Sequence, residues 1–154
     1  MATKPTLRQY AALPIDLRSG RLEIVLVTSR SSGRWIVPKG RPEARMRGHE
    51  VAKMEAFEEA GLLGAVSPKP IGSFGAEKGE GPNFTLARVA LYPFRVEGDA
   101  QDFPEKGQRE IRRASLLEAL MLLSDGGLIS ILVRNEHRLI DLLPPPSAGL
   151  APKS

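Results

Sequence analysis

The chain contains no cysteine, which excludes disulfides and thiolate metal sites. Aromatic residues make up only 5%, with a single tryptophan, so the stacking platforms on which single-stranded nucleic-acid binders lay bases are scarce. The two histidines, His49 and His137, lie far apart, and neither has a second histidine at i+3 or i+4. Both read as surface residues. No apolar run approaches the ~18 residues of a membrane span. No charged segment followed by an apolar one opens the chain, so the expected setting is cytoplasmic, away from membranes. Neither G-x-S-x-G nor G-x-x-x-x-G-K-[ST] occurs, which leaves serine-hydrolase and P-loop chemistry without support.

What is present is an ordinary globular composition. The 154 residues are 42% hydrophobic and 26% charged, enough for one domain with a real core. The net charge of +4 favours an anionic partner. With so few aromatics, the balance tips from nucleic acid toward a phosphorylated small molecule.

The stretch from Gly40 to Leu62 carries the chemistry. It begins after the apolar run Trp35-Ile36-Val37-Pro38 and ends in Glu55, Glu58 and Glu59 just before Gly61. At about 100° per residue, positions i, i+3 and i+4 share a helical face, so the three carboxylates can converge. No basic residue lies one turn further on to offset them, since Gly61, Leu62 and Leu63 follow. An isolated E-x-x-E-E run is more often a solvated helix face than a site. Here, however, Gly61 stands where a helix C-terminal glycine belongs, and Gly40 ends a strand where a carbonyl can turn toward a metal. Carboxylate oxygens suit hard cations, and Mg²⁺ keeps water and substrate phosphate as its other ligands. Mg²⁺ or Mn²⁺ is the expected cofactor.

Gly40, Glu55, Ala56, Glu58, Glu59, Gly61 and Leu62 fall in register with the Nudix box. That pattern is a glycine, five residues, a glutamate, seven residues, then R-E-U-x-E-E-x-G-U with U apolar. The stretch resembles it with two departures, Met46 for the first glutamate and Met54 for the arginine. The run Asp102-Phe103-Pro104-Glu105-Lys106-Gly107-Gln108-Arg109-Glu110 resembles the W-P-E-K-x-x-R-x segment of bacterial relatives of diphosphoinositol polyphosphate phosphohydrolases. Arg112-Arg113-Ala114-Ser115 stands where those relatives carry R-W-F-S.

The resemblance implies an α+β chain folded as an α/β/α sandwich with a mixed central sheet. It implies metal-dependent hydrolysis of a diphosphate linked to a group X, such as a nucleoside diphosphate-X, a dinucleoside polyphosphate or a diphosphoinositol polyphosphate. The expected metal-binding residues are Gly40, Glu55, Glu58 and Glu59. Glu58 and Glu59 are also catalytic candidates, and Glu110 or Glu105 is a candidate base outside the box. Arg34, Lys39, Arg41, Arg45 and Lys78 flank the site in sequence and are expected to grip phosphates. Since the family's arginine is understood to orient box glutamates, Met54 is expected to weaken metal binding or turnover. Two alternatives stay open: a Nudix-fold module that binds a phosphorylated ligand without turning it over, and an RNA 5′-end pyrophosphohydrolase. A monomer and a homodimer are equally compatible with the sequence.

Along the chain, strands are expected over residues 7–13, ended by Pro14, over 22–27, and over 34–37. A helix opens at His49-Glu50. Residues 84–96 read as a long strand broken or bent near Pro93. Ser115 with Glu118 forms a capping-box pattern for a helix to about Leu123. Asp125-Gly126-Gly127 is expected to break it, and a second helix to run over residues 128–143. Residues 1–143 are read as one domain, and the proline-rich residues 144–154 as a loose tail. The glycine-rich run 79–83 is read as a plain hairpin loop, with a phosphate-cradling loop as the alternative.

Overall fold

A computed structural model of the chain describes residues 7–78 and 85–147, with Lys78 described through its backbone alone. The run 79–83 lies outside them. The elements in chain order are β1 (Leu7–Asp16), β2 (Glu23–Thr28), β3 (Trp35–Ile36), β4 (Lys39–Gly40) and α1 (Gly48–Ala60). They are followed by β5 (Leu62–Val66), β6 (Gly72–Lys78), β7 (Thr85–Asp99), β8 (Ile111–Ala114), α2 (Leu116–Leu122) and α3 (Gly126–Asn135), which runs into a 3-10 turn over Glu136–Arg138.

The sheet runs β3-β2-β1-β7-β5, with β4 also on β1, β6 on β7 and β8 on β2. β1 and β7 pair in parallel, and the other pairings are antiparallel. The central strands bury both faces, as nearly continuous apolar runs do. Ala11, Leu13, Ile15, Ile24, Leu26, Val89 and Leu91 pack toward α2 and α3. Their neighbours Ala12, Val25, Val27, Tyr92 and Phe94 pack toward α1. The expected α/β/α sandwich with a mixed sheet is therefore present.

Two prolines behave differently from expectation. Pro14 does not end β1, which continues to Asp16, and Pro93 does not break β7, which runs unbroken for 15 residues. The reason is where they stand. β1 pairs with β4 at Tyr10 and Ala11 and with β2 from Ile15, so Pro14 occupies the interval between the two partners. β7 likewise pairs with β6 through Leu91 and with β5 from Phe94. A missing N–H costs no ladder bond where one partner strand gives way to another.

The second helix of the C-terminal region also begins earlier and ends sooner than expected, spanning Gly126–Asn135. α2 has ended at Leu122, before the glycines expected to break it, and Gly126 and Gly127 instead form the first turn of α3. A Cβ at 127 would lie 2.7 Å from the Cβ of Phe74, so glycine there lets α3 lie close on β6. Beyond Asn135 the chain turns, and Leu139 and Leu143 still reach the core. Ser115 caps α2 as expected, accepting from the Glu118 N–H at 3.1 Å while Glu118 Oε1 accepts from the Ser115 N–H. Of residues 144–154, those up to Ser147 are described. The Pro144 carbonyl accepts from Arg95 Nε at 2.8 Å, and Ser147 donates twice to Glu97. Among the described residues no helix is long and apolar enough to cross a membrane.

Candidate functional site

α1 lays a face of small residues on the sheet, with Val51, Ala52, Ala56 and Ala60 all buried. Because alanines let the helix axis approach closely, a glutamate on the adjoining face is drawn inside. Glu59 is 2% exposed. The helix ends at Gly61 in the left-handed region, φ 67°, with its N–H donating to the Phe57 carbonyl at 2.8 Å. Glycine adopts that conformation without the penalty a side chain would bring.

A helix end leaves carbonyls without intrahelical donors. Here the loop between β7 and β8 supplies donors. The Ala100 N–H donates to Gly61 O at 2.8 Å, and the Glu105 N–H to Glu58 O at 2.9 Å. Phe103 packs over Gly61, where a Cβ would meet its ring at 2.5 Å. This docking carries Glu105 to the helix, so that one oxygen from each of Glu55, Glu59 and Glu105 lies within 4.8 Å of the others. On the opposite side β4 brings the Gly40 backbone against Glu55, where a Cβ would lie 2.2 Å from Oε1.

Arg109 closes the cluster. Its Nε and Nη2 donate to Glu105 Oε1 at 3.2 and 3.0 Å, and Nη1 donates to the Thr28 carbonyl at 2.9 Å. Nη1 also lies 3.7 Å from Glu59 Oε1, an ion pair too long for a hydrogen bond. Glu59 Oε1 is buried without a hydrogen-bond partner. Burial pushes the Glu59 carboxyl up to about 9, with the neighbouring Glu55 adding to the shift and Arg109 opposing it. Glu55 is raised too, first by burial, then by the like charges of Glu58 and Glu105, while its hydrogen bond with Glu59 and the charge of Arg109 act the other way. A buried acceptor lacking a donor, two carboxyls pushed toward the neutral form and a third beside them are what a hard cation would relieve. The donor set is all oxygen, and it fits Mg²⁺ or Mn²⁺.

Beside the cluster opens a cleft of about 220 Å³, lined by Gln9, Ser29, Arg30, Ser31, Ile36, Lys39, Glu59 and Arg109. A smaller neighbouring space of about 120 Å³ shares Lys39 and adds Arg34 and Asp125. Arg30, Lys39 and Arg109 make the cleft cationic next to the carboxylates, an arrangement suited to a phosphate chain. Gln9, 3% exposed, leaves its Oε1 without a hydrogen-bond partner at this cleft.

Of the residues singled out from sequence, Gly40, Glu55, Glu59 and Glu105 come together, Glu105 as a member of the carboxylate group. Glu58 lies beside them, close enough to act on Glu55 by charge, but outside the group of converging oxygens. Lys39 lines the cleft, and Arg34 the space next to it. Arg41 and Arg45 are exposed on the segment leading into α1. Glu110 is exposed as well, and its backbone is bonded to Thr28. The side chain of Lys78 is outside the described residues. Met54 lines a separate groove with Phe57, Leu62 and Val66. Sequence reasoning missed Arg109 and Arg30 as members of the site. The signal for Arg109 was its i,i+4 spacing from Glu105.

No family model matches the chain. Over 106 residues it is 32% identical to Nudix hydrolase 12, mitochondrial, of Arabidopsis thaliana, a match covering 66% of this chain. The chain spans about half the length of that relative, 52%. Among solved structures it is similar to the Ap4A hydrolase of C. elegans, with a TM-score of 0.64 and 14% identity over 88% of this chain and 99% of that one. The NUDIX domain of Shewanella oneidensis NrtR, solved with ADP ribose, gives a TM-score of 0.66 at 14% identity, covering 88% of this chain and 90% of that one.

Proposed function

We propose that this chain, which has the Nudix fold, is a metal-dependent pyrophosphohydrolase that cleaves a diphosphate linkage, with a nucleoside diphosphate-X as the substrate class. The observation that carries this reading is the convergence of Glu55, Glu59 and Glu105 at the mouth of a cationic cleft. The similar proteins, a Nudix hydrolase, an Ap4A hydrolase and a domain solved with ADP ribose, favour a nucleotide-linked X over a diphosphoinositol polyphosphate.

Glu55, Glu59 and Glu105 would hold Mg²⁺ or Mn²⁺, with the Gly40 carbonyl as a further ligand. When bound, the cation supplies charge neutralisation at the phosphates and acidifies a water. The chain's own residues then have defined tasks. Lys39 and Arg30 orient the phosphate oxygens, and the planar guanidinium suits two of them at once. Arg34, which lines the space next to the cleft, extends the grip toward X. Glu58, at the edge of the cluster, accepts the proton of the attacking water as its oxygen bonds to phosphorus and the bridging P–O bond breaks. Glu110, more exposed, would take this role only if the loop moves.

The test is release of phosphate or nucleotide from ADP-ribose, dinucleoside polyphosphates, diphosphoinositol polyphosphates and a capped or triphosphorylated RNA, with Mg²⁺ or Mn²⁺. Metal-dependent turnover abolished by Glu59→Gln supports the reading. Tight ligand binding without turnover would instead make the chain a binding module.

A further inference from the structure

Arg109 ties three parts of the chain together, two by hydrogen bonds and one by an ion pair. Its guanidinium reaches the end of β2 through Thr28 O, the β7–β8 loop through Glu105, and α1 through Glu59. The side chain is 9% exposed, so these contacts are made with little water between them. Five N–H groups in one plane allow that division of labour, which a lysine ammonium on a flexible stem cannot reproduce. Arg30 also approaches Glu105, at 3.5 Å, but from a side chain that is 59% exposed. On α1 itself, Met54 offers no charge and points into a groove lined by Phe57 and Leu62.

We infer that Arg109 is the positioning residue of the carboxylate cluster, fixing the loop-borne Glu105 against the helix-borne Glu55 and Glu59 so that a divalent cation meets three oxygens instead of two. The role lies in geometry: Glu105 Oε1 takes two bonds from a guanidinium whose third bond is anchored on β2. Freed of that clamp, the Glu105 side chain would have solvent to turn into, although its backbone stayed bonded to Glu58. The inference rests on the hydrolase reading for its metal, but its readout is cation affinity and not turnover.

The experiment is titration of the full chain with Mn²⁺, following free Mn²⁺ by electron paramagnetic resonance, for wild type, Arg109→Met, Arg109→Lys, Glu105→Gln and the Arg109→Met/Glu105→Gln double variant. Circular dichroism verifies the fold of each. Removing a group that orients a ligand costs roughly 10- to 100-fold in metal affinity, and a loss of about tenfold or more is expected for Arg109→Met. Because Arg109 acts through Glu105, the double variant should bind no more weakly than Glu105→Gln alone. Arg109→Lys keeps the charge and loses the bridging geometry, so it should also bind more weakly than wild type, and it serves if Arg109→Met does not fold. Wild-type affinity in folded Arg109→Met or Arg109→Lys, or losses that multiply in the double variant, would overturn the inference. A wild type that binds no Mn²⁺ overturns it together with the metal reading. Absence of hydrolysis in a chain that binds Mn²⁺ through this clamp counts against the hydrolase reading alone.

Discussion

The Gly40 backbone and the Glu55 side chain are so close that a Cβ on residue 40 would lie 2.2 Å from Glu55 Oε1 and 2.4 Å from Cδ. The obstacle is the end of a flexible side chain, so Gly40→Ala should fold with a small stability loss. The carboxylate, however, has to leave its place in the cluster. A fall of about tenfold in Mn²⁺ affinity, within the range for disturbing a metal ligand's orientation, is expected in a calorimetric titration. Unchanged affinity would show that Glu55 is dispensable to the site.

Protonation of Glu59 gives a second test. With its carboxyl at about 9, the free protein holds a proton there at neutral pH that the unfolded chain, with an ordinary carboxyl, would not. Cation binding must displace that proton. Apparent Mn²⁺ affinity should therefore rise between pH 6 and pH 9, on the order of tenfold per pH unit at most. Calorimetry in buffers of different ionisation enthalpy should show close to one proton released. A pH-independent affinity would mean that Glu59 is ionised before the metal arrives. The same sign applies to stability: without metal, this group lowers stability as pH rises from the ordinary carboxylate range toward 9.

Asp16 behaves in the opposite way. It is buried at the end of β1, which alone would raise its carboxyl, but hydrogen bonds from Arg18 and Arg113 outweigh burial and lower it to about 2. Asp99 shares both arginines and is lowered as well. The resulting stabilisation is present above about pH 4 and is lost as the pH falls toward 2. At neutral pH Asp16→Asn should cost about 2 kcal/mol in urea denaturation. That difference from wild type should shrink as the pH is lowered through this window. A constant difference would assign the loss to packing.

Met54→Arg tests whether the cluster lacks a cation. Since Arg109 already pairs with Glu59 and Glu105, and residue 54 faces the groove beside Phe57 and Leu62, Mn²⁺ affinity should change by no more than about twofold, the scale of a surface substitution. A tenfold gain would show that the chain is short of the charge an arginine on α1 supplies.

The parts of the site that were legible in the sequence are those held by one helix. Glu55 and Glu59 converge through helical periodicity, and Gly61 ends the helix for the local reason that glycine takes a positive φ. The continuous apolar run of β2 was readable for the same kind of reason, since a strand buried on both faces shows no alternation. Arg109 and Glu105 were not assigned to the cluster because nothing near them in sequence indicates α1. They arrive through the helix-end carbonyls of Glu58 and Gly61. Pro14 and Pro93 misled in the same way, since a local rule reads proline as a stop. The strands pass through because each proline falls where one neighbour replaces another.

The bond from Arg109 to Thr28 O joins residues 81 apart in sequence. During synthesis the α1 carboxylates would leave the ribosome long before Arg109. A growing chain could present Glu55 and Glu59 on a finished helix and still lack both the third oxygen and its clamp. The complete cluster then exists only after β7 has crossed the sheet and the following loop has come back to β2.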